Sequence, residues 1–102
     1  MDTAEKMFMC DKATVLNAIY DALDVISFVI DKSNSLRGTL IVSSTEFPQF
    51  GGRIAVSPGT AESKTLVEVF PSSNDAQQAE WIAALFDEMQ VLIERAQRGV
   101  HK

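Results

Sequence analysis

The apolar pattern of this chain predicts an α+β domain. It has two layers, an antiparallel β-sheet with one short and one long C-terminal helix on one face, in the order β-α-β-β-β-β-α. Three observations carry that expectation. From Trp81 to Ala96 apolar residues recur at spacings of three and four, as on one long amphipathic helix. A shorter stripe of the same period runs from Val15 to Ile26. Between them, β-branched runs alternate with clusters of Gly, Pro, Asn and Ser, and strands joined by turns that short pair antiparallel.

Taken in order, Lys6 to Cys10 is a short apolar run rich in Met and Phe and reads as a first strand. Asp11 stands at an N-cap position before KATVLNAIYDALDVI, where Val15, Leu16, Ile19, Ala22, Leu23 and Ile26 share one side of about three helical turns. VISFVI (25–30) is β-branched and aromatic and reads as a strand, and DKSNS (31–35) as a turn. LRGTLIVSST (36–45) is the next strand, with Gly38 marking a bulge or a close approach. GRIAVS, the turn PGTAES, and KTLVEVF (64–70) complete the sheet. Ser73 or Asn74 is the expected cap of the long helix, Asp75 and Glu80 lie toward its positive end, and Gly99 ends it. One domain over 1–102 is expected, frayed at 1–5 and 99–102.

Composition narrows the function. A formal charge of −5 opposes nonspecific nucleic-acid binding, which needs cations facing phosphates. No run of apolar residues is long enough to span a bilayer, and MDTAEKMFMC does not read as a secretory signal, so the cytoplasm is the expected location. Cys10 is the sole cysteine, which rules out an intramolecular disulfide and reads as a buried inert thiol. His101, the sole histidine, stands one residue from the end, so neither Cys10 nor any serine has a credible base. Asp21 with Asp24, and Asp87 and Glu88 with Glu94, read as solvated helix faces. No catalytic, cofactor or metal residues are assigned.

FPQFGGRIAVSP (47–58) most resembles a motif. A phosphate loop needs G-x-x-x-x-G-K-[ST], and a dinucleotide fingerprint needs G-x-G-x-x-G between strand and helix. GGR at 51–53 has neither spacing and leads into a strand, so the stretch reads as a bend between strands, with Phe47 and Phe50 covering the end of the core.

Alternation along the strands singles out a surface. With Ile26, Phe28 and Ile30 facing the helices, Val29 faces away; with Leu40 and Val42 inward, Ile41 is outward; with Val67 and Val69 inward, Leu66 and Phe70 are outward. Val29, Ile41, Leu66 and Phe70 thus form a candidate interface on the uncovered face.

The element order, carried by VLNAIYDAL, DKSNSLRGTLIV, QFGGRIAVSPGTAESKTLVEV and EWIAALFDEMQVLI, resembles the TBP-like and helix-grip folds. It is similar to small bacterial proteins of unknown function that read as a minimal START or polyketide-cyclase (Bet v 1-like) architecture. Larger helix-grip proteins hold apolar ligands between sheet and long helix. The resemblance therefore implies a candidate apolar seam at Trp81, Leu85, Phe86 and Met89. The expected function is a non-enzymatic protein-binding or self-associating domain, a homodimer or a subunit of an assembly. The alternatives are a carrier of a small apolar ligand in that seam and an acidic chaperone-like adaptor.

Overall fold

The structure is a computed structural model and describes residues 4–34, 36–58, 64–73 and 75–100. Its elements are β1 (Ala4–Phe8), α1 (Lys12–Val25), β2 (Phe28–Asn34), β3 (Thr39–Ser44), β4 (Gly51–Pro58), β5 (Thr65–Pro71) and α2 (Gln78–Val100). The strands form one antiparallel sheet in the order β1-β5-β4-β3-β2, so β4 is the middle strand and β1 and β2 are its edges. The expected α+β architecture is what the chain adopts.

Alternation decides which side of the sheet the helices cover. Leu40 and Val42, Ile54 and Val56, and Val67 and Val69 are all buried, each pair two residues apart and therefore on one face. Ile19 and Leu23 of α1 and Leu85 and Met89 of α2 are buried in the same cluster. At about 1.5–3 kcal/mol for each large side chain removed from water, this seam is the main stabilising feature of the domain. Trp81 stacks on Phe28 with ring centroids 4.7 Å apart, and Phe8 meets Phe86 at 6.3 Å.

Several boundaries differ from the expectation. Ala4 and Glu5 are paired with Val69 and Glu68, so the first strand starts at Ala4, not Lys6. Val25 belongs to α1, which is 14 residues long, nearly four turns. The Ile26 and Ser27 amides bond back to the carbonyls of Ala22 and Asp24 and close the helix, with Ser27 at φ 64°. The strand expected over 25–30 therefore begins at Phe28.

The turn expected at 31–35 is strand as far as Asn34. A bulge at Asp31 shifts the register from Ile30↔Val42 to Lys32↔Ile41. Ser35 lies outside the described residues, and β3 begins at Thr39 rather than at Leu36. Ile30, expected in the core, is 37% exposed, because β2 is an edge strand with only Phe28 fully under the helices. Ile26 is half-buried at the end of α1, not on a strand.

Gly38 stands at φ 70°, and its carbonyl accepts from the Val56 amide at 2.7 Å; an added Cβ would sit 2.4 Å from the Val56 carbonyl oxygen. This is the close approach the glycine was expected to mark. α2 begins at Gln78 after a turn at Ala76 and Gln77, later than a Ser73 cap implies, and Asn74 lies outside the described residues. It continues through Gly99 to Val100, so the glycine stands inside the last turn instead of ending the helix. The expected turn at 59–63 and His101 also lie outside the described residues. Among the described residues no helix is long and apolar enough to cross a membrane.

Candidate interaction surface

The face of the sheet turned away from the helices is built row by row by the strand register. One row reads Phe70, Arg53, Ile41, Lys32 across β5, β4, β3 and β2. The next reads Glu5, Glu68, Ala55, Thr39, Asn34 from β1 to β2. A third holds Met7, Leu66 and Ser57. Beyond the first row, Val29 of β2 pairs with Ser43 of β3.

All four residues of the expected interface lie on this face, but they do not form one patch. Ile41 is 39% exposed and Val29 45%, while Leu66 and Phe70 are half-buried. Leu66 and Phe70 are four residues apart on one strand, about 13 Å, with Glu68 between them. Leu66 therefore groups with Met7 at one end, and Ile41, Phe70 and Val29 group at the other.

That second group borders a shallow open groove of about 480 Å³, lined by Ile41, Ser43, Pro48, Phe50, Arg53 and Phe70 with the Gly51–Gly52 backbone as floor. The Arg53 guanidinium lies 4.6 Å from the centre of the Phe70 ring, so the exposed cation leans sideways toward β5. Among the described residues its side chain has no acidic partner.

The groove wall comes from the Phe-Pro-Gln-Phe corner. Ser44 Oγ accepts from the amides of Glu46 and Phe47 at 3.1 and 3.0 Å, and the Phe50 amide donates to the Phe47 carbonyl at 2.8 Å, folding the corner tightly. Phe50 packs on the core as expected, but Phe47 does not: it is 50% exposed and stacks on Phe50 at 5.4 Å.

The floor is pinned from inside. Gln78, buried at the first turn of α2, accepts the Gly51 amide at 3.2 Å and the Trp81 indole N–H at 2.6 Å on Oε1. Its Nε2 donates to Ser72 and Ser73 Oγ at 3.2 and 2.9 Å. A Cβ at Gly51 would fall 2.6 Å from the Val42 carbonyl oxygen, and one at Gly52 would fall 2.4 Å from that of Phe70. The glycines thus let β3, β4 and β5 close up under the groove.

The seam residues are placed differently. Trp81, Leu85 and Met89 are buried and Phe86 is half-buried against Phe8, so side chains fill the space between α2 and the sheet there. Cys10 is buried, and burial, reinforced by the Asp11 charge, raises its thiol pKa. Its carbonyl accepts the Thr65 hydroxyl at 2.8 Å. Asp21, Asp24, Asp87 and Glu94 are exposed and Glu88 is half-buried; Glu94 accepts from Gln90 at 3.0 Å. Among the described residues no cluster of His, Cys, Asp and Glu could hold a metal ion.

No protein-family model and no curated protein matches the chain. Among solved structures it is similar to a crystal structure of an uncharacterized protein from Bacillus thuringiensis. The identity is 13%, the TM-score 0.59, and the match covers 93% of this chain and 96% of that one. The two share a fold over nearly their whole lengths.

Proposed function

We propose that the chain is a non-enzymatic protein-binding domain that works through the open face of its sheet, associating with itself or with another protein. The observation that carries this reading is the groove beside Ile41 and Phe70. There an aromatic, an aliphatic side chain and an arginine with no acidic partner among the described residues converge on the side of the sheet opposite the two helices. Aromatic residues and arginine are the side chains that most often anchor protein interfaces. A thiol whose pKa is raised by burial is moved away from nucleophilic use, which also favours binding over catalysis.

Native mass spectrometry of the gently purified protein tests it, comparing the chain with its Phe70→Glu variant. The expected result is a protein assembly that Phe70→Glu reduces to the 11.2 kDa monomer. An assembly that survives Phe70→Glu overturns the reading. So does a monomer carrying a small apolar compound, which would favour the carrier role that the helix-grip resemblance implies for the Trp81–Met89 seam.

A further inference from the structure

Charge on the open face is divided between its halves. The β1–β5 half carries Glu5 and Glu68 side by side, while the β4–β3–β2 half carries Arg53 and Lys32 on either side of Ile41 and one acid, Asp31, whose carboxylate accepts from the Ser43 hydroxyl at 2.8 Å. The bulge at Asp31 makes this division. Without the register shift, simple alternation from Val29 would turn Lys32 to the helix side. Among the described residues the side chains of Glu5, Glu68 and Lys32 have no hydrogen-bond or ion-pair partner.

Such a face is complementary to itself under one operation, a two-fold axis lying along the middle strand β4. Resting on the reading above, we propose that the occupant of the open face is a second copy of this chain, packed sheet to sheet about that axis. The operation lays β3 over β5 and β2 over β1 of the other copy. Ile41 then meets Phe70 of the second copy, Thr39 and Asn34 meet Glu68 and Glu5, and Lys32 comes within reach of Glu5. Each contact occurs twice, as an isologous interface requires.

The axis itself passes over Ala55 and Ser57, small side chains that let the sheets approach to about 10 Å. Arg53 is the one residue that like-charge repulsion would keep off a two-fold through β4. Its stacking on Phe70 draws it sideways over β5, away from its symmetry mate. Five strands at about 4.8 Å give a face roughly 24 Å wide and of similar length, at the small end of stable interfaces, so association is sought up to about 100 µM.

Charge reversal tests the geometry. Lys32→Glu and Glu5→Lys should each weaken the homodimer about tenfold, since every reversal acts at two symmetric sites. Mixing the two variants, one of them isotope-labelled, should give a mixed dimer well above the statistical half. In that pair one contact is the native Lys32–Glu5 pair and the other carries the two signs exchanged, so both are attractive. Lys32 and Glu5 lie on opposite edges of one sheet, about 19 Å apart, so this rescue cannot arise within a chain. A dimer that Phe70→Glu dissociates but whose variants mix statistically overturns the two-fold arrangement and leaves the reading of the face standing. A monomer at every concentration overturns the second copy as occupant and leaves the face to another protein partner, whereas a dimer indifferent to Phe70→Glu overturns both.

Discussion

Gln78 uses both lone pairs of its amide oxygen and both hydrogens of its nitrogen. A side chain of this kind in a core is stabilising only because it is fully satisfied, and removing it strands several partners at once. Gln78→Leu leaves the Gly51 amide and the Trp81 indole N–H without acceptors. We expect a loss of about 2–4 kcal/mol in urea unfolding. At the other end of the charge scale, Asp11 is exposed, yet the Thr14 hydroxyl donates to its carboxylate and holds its pKa below the ordinary 3.8. A depressed carboxylate stabilises the folded state fully above its unfolded pKa, and that contribution is lost as pH falls through the folded value. Thr14→Val should therefore raise the Asp11 pKa in an NMR titration and flatten stability loss below about pH 4. Neither network is legible from spacing. Gln78 sits 27 positions from Gly51 and reads in the sequence as one more polar residue before a helix. The stacking of Arg53 on Phe70 is equally hidden, because it depends on which residues face each other across β4 and β5.

Elements whose apolar period is long and uninterrupted were readable. The stripe from Trp81 onward predicted α2 and its buried face, and the alternation of Leu40–Val42 and Val67–Val69 predicted which side of the sheet the helices cover. The failures cluster where local propensity met a tertiary demand. Val25 and Ile26 are β-branched and read as strand, but one more turn of α1 continues the helix already formed by Ile19, Ala22 and Leu23. Asp31 to Asn34 read as turn because an edge strand with solvent on both faces has no need of apolar residues. The open face was half legible. Alternation found Ile41 and Phe70, while the corner that walls the groove read only as a bend. Pairing across β1 and β5 has its own consequence. Glu5 and Glu68 are directly opposed, an arrangement that costs rather than contributes stability. At concentrations low enough to keep the chain monomeric, Glu5→Gln should raise thermal stability by about 0.5 kcal/mol at low salt, and the gain should vanish near 1 M salt.

At the scale of the molecule, one side of the sheet is closed by two helices and the other is open, and the open side carries both charge signs although the whole chain is acidic. Net charge of one sign keeps copies apart at long range, so recognition between them must come from the local division of charge and from the Ile41–Phe70 region. The bulge in β2 acts in a second way here. A sheet whose outer strand were straight would offer its free amides and carbonyls to the next molecule, and that to another, without limit. The extra residue at Asp31 breaks that row of donors and acceptors and twists it out of line. Lateral growth into fibrils is thereby discouraged at this margin, and crowding such molecules together favours small closed particles over threads.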